Sequence, residues 1–278
     1  MVTQARVAGP STVQDAVDAL AGRCTVLLSG AGISTDSGIP DYRGPGSRRG
    51  TPMTYAEFVS GPPAQQRYWA RSYVGWRTLG RAVPNAGHRA IVALQRCGAV
   101  GAVVTQNVDG LHTAAGGRDV VDLHGRIADV VCLGCRHRSS RVELQARLDA
   151  LNPGFGSAGN VVAAPDGDAD VDTPGDFRVA ACLRCGGVLK PDVVFFGENV
   201  PKDRVERCYA VVDAAEAMLV VGSSLTVLSG FRFVRQAHRR GLPVVIVNRG
   251  ATRGDPLATV KLDAGCSPVL SVLAAALR

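Results

Sequence analysis

Lysine is nearly missing from this 278-residue chain, in which 3 Lys stand beside 28 Arg. That bias, together with abundant Ala, Gly and Val, has the look of GC-rich coding, so part of the net charge of +7 carries no function. What remains of the basic surface suits phosphates or acidic protein patches. The basic residues are scattered and RNA- and DNA-binding motifs are absent, which argues against nucleic acid as the main partner. No apolar run approaches the roughly 20 residues that span a bilayer, so no membrane partner is expected. Residues 1–9 contain no apolar h-region, and the expected location is therefore cytoplasmic. An internal repeat is also missing.

Cysteine, by contrast, is present eight times. Four of the eight form two C-x-x-C pairs in a long chain without a secretory start, which favours metal over a disulfide framework. The other four, Cys24, Cys97, Cys208 and Cys266, lie mostly among apolar neighbours and are expected as buried thiols. Hydrophobic residues make up 46% of the chain, enough for a core that needs no covalent staples.

Short β-branched runs alternate with helix-like stretches, the pattern of a parallel sheet with crossover helices. Strands are expected at Thr25–Leu28, Val100–Thr105, Val120–Leu123, Ala217–Val221, Val244–Val247 and Val260–Leu262. Helices are expected at Val13–Leu20, Ala86–Arg96, Lys202–Ala215, Gly230–Arg240 and Pro268–Leu277. The fold class is thus α/β: a Rossmann-like parallel sheet with helices on both faces, plus a small inserted zinc-binding domain. Residues 1–131 and 186–278 are expected to form the nucleotide-binding domain, with a loop and helical lid at about 44–80, and 132–185 the insert.

Several strands end on Gly, Ser, Gln or Asn: Ser29-Gly30, Gln106-Asn107, Gly222-Ser223-Ser224 and Asn248-Arg249-Gly250. Ligands of open α/β sheets bind beyond the carboxyl ends of the strands, so these ends point to one cleft. Gly30-Ala31-Gly32-Ile-Ser34 allows a sharp turn and close backbone approach to a pyrophosphate. The third glycine of G-x-G-x-x-G is replaced by Thr35, and no acidic ribose hook follows about 20 residues on.

The longer array that starts at Gly30 and continues through Ser37-Gly-Ile39-Pro-Asp41-Tyr42-Arg43 resembles the NAD signature of the sirtuin (Sir2) family. Thr105-Gln106-Asn107-Val-Asp109-Gly-Leu-His112, Leu123-His124-Gly125 and Lys190-Pro-Asp-Val-Val194-Phe195-Phe196-Gly197-Glu198 resemble its further motifs. The resemblance runs from about Gly22 to Leu277. Within the family the chain is most similar to class II, which includes a mitochondrial lipoamidase and ADP-ribosyltransferase. Asp41-Tyr42-Arg43, Gln66-Arg-Tyr68-Trp-Ala-Arg71, Leu151-Asn-Pro153 and Ala164-Pro-Asp-Gly-Asp168 carry that likeness. The chain start lacks a mitochondrial presequence, so a bacterial member is expected.

The resemblance implies an NAD-dependent protein deacylase acting on acylated lysines, acetyl-lysine by default. In that chemistry the acyl oxygen attacks the ribose carbon as nicotinamide leaves, and a ribose hydroxyl then attacks with the help of a general base. His124 is implied as that base, a role suited to an imidazole near its working pH, while His112 is expected to be structural. Asp109 and the Ile39 backbone are implied for the carboxamide of NAD, and Asn107 and Gln106 for its ribose. Ala31, Ser34 and Arg43 are implied for phosphates and ribose, Ser223 and Ser224 for a phosphate, Asn248 for the adenosine ribose, and the Cys266 backbone for adenine. The same resemblance implies an acylated peptide inserted as a strand between Val193–Gly197 and Ser224–Val227, with the Val194 carbonyl accepting the lysine N–H. Tyr68 and Arg71 have a Y-x-x-R spacing suited to an acidic acyl group.

Cys132-x-x-Cys135 and Cys182-x-x-Cys185, with 46 residues between the pairs, supply a full tetrahedral thiolate set for a structural zinc ion. The spacer contains Asp166, Asp168, Asp170 and Asp172 but lacks the sixth-position Gly and twelfth-position Glu of an EF-hand. A solvated acidic loop is expected there. Protein mono-ADP-ribosyltransfer, or a zinc-knuckle scaffold without catalysis, are the alternative functions.

Overall fold

The computed structural model describes residues 11–42, 44, 52–156, 165–166 and 175–278. The strands are β1 (Thr25–Ser29), β2 (Val100–Thr105), β3 (Val120–Asp122), β4 (Gly125–Cys132), β5 (Arg138–Ser140), β6 (Leu189–Val193), β7 (Ala217–Val221), β8 (Val244–Val247) and β9 (Val260–Leu262). The helices are α1 (Val13–Leu20), α2 (Tyr55–Phe58), α3 (Pro62–Leu79), α4 (Ala86–Arg96), α5 (Leu111–Ala114), α6 (Arg141–Leu151), α7 (Lys202–Asp213), α8 (Leu228–Arg239) and α9 (Cys266–Ala276).

Six strands form one parallel sheet in the order β3-β2-β1-β7-β8-β9. Every residue of β1, β7 and β8 is buried, as expected of parallel strands covered on both faces. Alternate side chains go to opposite sides. Leu27, Val103, Leu219 and Val245 pack with Leu20, Ile91, Leu94, Leu270 and Leu273 of α1, α4 and α9. Val26, Leu28, Val104, Met218, Val220 and Ile246 pack with Cys208, Val212, Phe233 and Val234 of α7 and α8. The strand order reverses beside β1, and at such a switch point a crevice opens at the carboxyl ends.

A second, three-stranded antiparallel sheet, β5-β4-β6, carries the cysteine knuckles. Within the stretch read as a loop and helical lid, the described residues form α2 and α3, and α3 is the aromatic spine of this lobe. Tyr68, Trp69, Tyr73 and Val74 are buried together with Leu144 and Leu148 of α6, Phe177, Leu189 and Cys132. Arg141, fully buried, lies 5.4 Å from the Trp69 ring and 5.1 Å from the Trp76 ring and donates to the Ser72 carbonyl. Its pKa is lowered to about 10 by burial, so it docks α6 onto α3 as a cation held by rings and a carbonyl.

Two expectations are corrected. Cys24 and Cys97 are exposed, because they sit in turns just before β1 and just after α4; Cys208 and Cys266 are buried. Helix α8 begins at Leu228, two residues before the expected Gly230, and this brings Ser229 into a helical turn facing the cleft. Arg43 and the acidic positions 168, 170 and 172 lie outside the described residues.

Candidate active site

The carboxyl ends of β1, β2, β7 and β8 open into a cleft of about 960 Å³. At its floor the Gly30-Ala31-Gly32 turn packs onto Gly222 at the end of β7. A Cβ on Gly30 would come within 2.7 Å of the Gly222 carbonyl oxygen, and Gly222 itself has φ +61°. The Gly30 and Gly32 amides donate to the carbonyls of Val221 and Gly222. Those two N–H groups are therefore committed within the protein, and the missing side chains let the turn pack directly on Gly222 and Ser223. The turn continues as two 3-10 segments, Ala31–Ile33 and Thr35–Ser37, not as an α-helix.

A polar network joins this turn to the end of β2. Ser34 donates to Asp109 at 2.7 Å, Asn107 donates to Ser34 at 3.1 Å, and Asp109 accepts the Leu111 amide at 2.9 Å. Gln106 donates to Ser223 at 2.7 Å, linking β2 to β7. Gly230 makes space for that amide, since a Cβ there would meet Gln106 Oε1 at 2.5 Å. Ile39, Asp41 and Tyr42 form one wall, and Ser224, Asn248, Arg249, Gly250 and Cys266 another. Burial pushes the Cys266 thiol up to about 12, so it is a neutral packing group.

His124, just beyond β3, lies between the two lobes. Its Nδ1 is 2.8 Å from the Gln106 carbonyl and its Nε2 is 2.8 Å from the Ser229 hydroxyl. Burial lowers its pKa; the Gln106 contact opposes that shift and the Arg204 charge adds to it. The ring is thus held neutral and ready to accept a proton. His112 contrasts with it. Burial drives its pKa down to about 3, with the neighbouring His88 adding to the effect, and its Nε2 bonds the buried Ser29 hydroxyl at 2.8 Å. It does not line the cleft.

Residues 193–197 run along the cleft beside His124. The Val194 amide donates to the His124 carbonyl at 2.8 Å, and the Tyr55 amide to the Phe196 carbonyl at 2.9 Å. Phe195 donates its amide to Glu198, whose carboxylate is 2.9 Å from the buried Lys190 ammonium. Tyr68 lines the cleft within an aromatic cluster, 5.1 Å from Phe195, whereas Arg71 is not among the lining residues. Every other described residue expected to bind NAD or peptide lines this one cavity. Sequence reading missed Ser229 and Arg232, and it named Lys190 and Glu198 only as the ends of a motif without foreseeing their ion pair. Only the start of α8 or the fold of β6 could have revealed them.

The four cysteines converge away from the cleft. Their sulfurs lie within 4.8 Å of one another, with Cys132–Cys185 at 3.5 Å and Cys135–Cys182 at 3.8 Å. Tetrahedral zinc with ligands at about 2.3 Å places its sulfurs about 3.8 Å apart, so the donor set fits that ion. The Arg184 and Cys185 amides lower the Cys182 thiol, whereas at Cys185 the Gly187 amide's lowering is outweighed by hydrogen bonds with Cys132 and Cys135, so the thiols share their protons as one set.

A parallel sheet with a glycine-rimmed crevice, joined to a tetrathiolate lobe, defines a nucleotide-binding α/β protein with a metal knuckle. The chain matches the Sir2 family over residues 30–229 and belongs to it. It is 56% identical to NAD-dependent protein deacetylase 1 of Mycobacterium avium (strain 104), over 96% of each chain. It is also 56% identical to NAD-dependent protein deacetylase 1 of Streptomyces coelicolor, covering 96% of this chain and 90% of that one. A solved Sir2 complex with a p53 peptide and NAD+ superposes with a TM-score of 0.75 at 30% identity, over 94% of this chain and 97% of the other.

Proposed function

We propose that the protein is an NAD-dependent protein lysine deacylase, with acetyl-lysine as its default substrate. The observation that carries this is His124. A neutral imidazole is fixed between the Gln106 carbonyl and Ser229, at the meeting point of a glycine-lined nucleotide cleft and the 193–197 segment. NAD supplies a ribose carbon made electrophilic by a departing nicotinamide. His124 accepts the proton of the attacking ribose hydroxyl. Asn107 and Asp109, held by Ser34, orient the nicotinamide-ribose end, a positioning role that contributes several kcal/mol. Ala31, Ser34, Ser223 and Ser224 meet the phosphates and ribose, with Arg43 as charge partner, and Asn248, Arg249, Gly250 and the Cys266 backbone hold the adenosine end. Val194, Phe195, Phe196 and Gly197 receive the acylated peptide as an added strand. Cys132, Cys135, Cys182 and Cys185 hold a structural zinc ion, which closes the base of the insert (132–185) where it interrupts the nucleotide-binding domain (1–131 and 186–278).

Class II membership is supported by the Asp41-Tyr42-Arg43 and Tyr68-x-x-Arg71 sequences. Bacterial origin is supported by the relatives named above, and among the described residues no helix is long and apolar enough to cross a membrane. An acyl-peptide panel with NAD, read by mass spectrometry, tests the activity. Loss of the acyl mass from lysine is expected, and a gain of ADP-ribose on protein in its place would make the protein a mono-ADP-ribosyltransferase.

A further inference from the structure

His124 has two different neighbours, and only one is a carbonyl. The Gln106 oxygen can only accept, so Nδ1 carries the ring proton and Nε2 presents its lone pair. The partner at Nε2, 2.8 Å away, is therefore donating: it is the Ser229 hydroxyl. Both side chains line the cleft. Ser229 stands in the first turn of α8, and that helix is anchored by the fully buried Phe233 and Val234. The hydroxyl is thus placed by a rigid element and not by a loop.

Resting on the assignment of His124 as the base, we propose that Ser229 is the positioning residue for that base. In the neutral ring its hydroxyl donates to Nε2 and so fixes the tautomer and orientation of the imidazole until the substrate hydroxyl takes its place on that lone pair. When the substrate hydroxyl gives up its proton, the O–H bond breaks, an Nε2–H bond forms and the electron pair stays on the substrate oxygen. Ser229 keeps its own proton and rotates to accept from Nε2–H. Such a charge-assisted bond is about twice as strong as the neutral one it replaces, so Ser229 favours the protonated base in a site that otherwise disfavours charge.

The experiment compares wild type, Ser229→Ala and Ser229→Thr in two measurements. In the NAD-free protein, the ¹⁵N signal of His124 Nε2 should report an unprotonated, hydrogen-bonded nitrogen. It should shift towards a free imidazole value in Ser229→Ala and return in Ser229→Thr. With NAD and acetyl-peptide, Ser229→Ala should lose tenfold or more in deacylation, the loss expected of a charge-assisted bond. Exchange of labelled nicotinamide into NAD, which needs no base at the ribose hydroxyl, should fall far less. An unmoved Nε2 signal, a parallel fall of exchange and deacylation, or failure of Thr to restore either reading would overturn the proposal. Deacylation that survives His124→Ala would overturn the base assignment itself. That failure is distinguishable, because the Nε2 signal of Ser229→Ala would still shift.

Discussion

At the scale of single residues, His124 and His112 show how environment separates two identical side chains. His112 is buried and His124 half-buried, and both are kept neutral, but only His124 reaches the cleft. His124→Ala should abolish deacylation while leaving the fold and the metal content intact. Retention of a tenth of wild-type turnover would remove it from the mechanism. A general base works only when unprotonated, and burial shifts His124 below the ordinary value of about 6.5. The acid limb of the kcat/KM profile should therefore lie below pH 6.5, and a limb above it would contradict this assignment. The acyl pocket is a sharper question. If Tyr68 and Arg71 bind an acidic acyl group, Arg71→Ala should lose about 2–3 kcal/mol on a carboxylated acyl-lysine and nearly nothing on acetyl-lysine. An equal fall on both would mean that Arg71 only supports α3, as its place off the cleft wall suggests.

At the scale of elements, the knuckles between β4 and β6 are held by sulfur geometry more than by apolar packing. Leu183 at the second knuckle is 83% exposed, and Cys135 and Cys185 are exposed too. A structural zinc ion contributes on the order of 10 kcal/mol to such a module. Cys135→Ser or Cys182→Ser should therefore give zinc-poor, poorly soluble protein, measured by metal analysis and thermal melting. A chelator that strips the metal without changing Tm or activity would show the ion to be dispensable. The sheet strands were legible from sequence because parallel strands covered on both faces are unbroken apolar runs. The strands of the small lobe were not, since β4 (Gly-Arg-Ile-Ala-Asp-Val-Val-Cys) mixes charges with apolar residues and β5 is Arg-Ser-Ser.

At the scale of the whole molecule, buried titratable groups link stability to pH. His112 has a folded pKa of about 3 against about 6.5 unfolded, so the unfolded chain takes up a proton first as pH falls. Its contribution is complete above pH 6.5 and declines progressively from there towards pH 3. Asp122, raised to about 6 by burial, works in the opposite direction. The difference between wild type and His112→Gln isolates the histidine. From pH 7.5 to pH 5 the variant should gain about 2 kcal/mol relative to wild type in denaturant unfolding. A gap that stays constant with pH would show that His112 is not held neutral.

Local chemistry was enough to determine the sheet strands, the four thiolates and the glycine and polar strand ends, because each depends on residue type at short spacing. Tertiary structure decided the rest. Whether Gly30 and Gly32 donate to a ligand or to the protein depends on Val221 and Gly222, which lie 191 and 190 residues further along the chain. The role of α3 as a core spine depends on α6 and Phe177 meeting it from the far side of the insert. The partner of the base depends on α8 starting two residues early, so that Ser229, 105 positions after His124, faces its ring. Contacts at such separations have no local periodicity to announce them; only the packed chain brings them together.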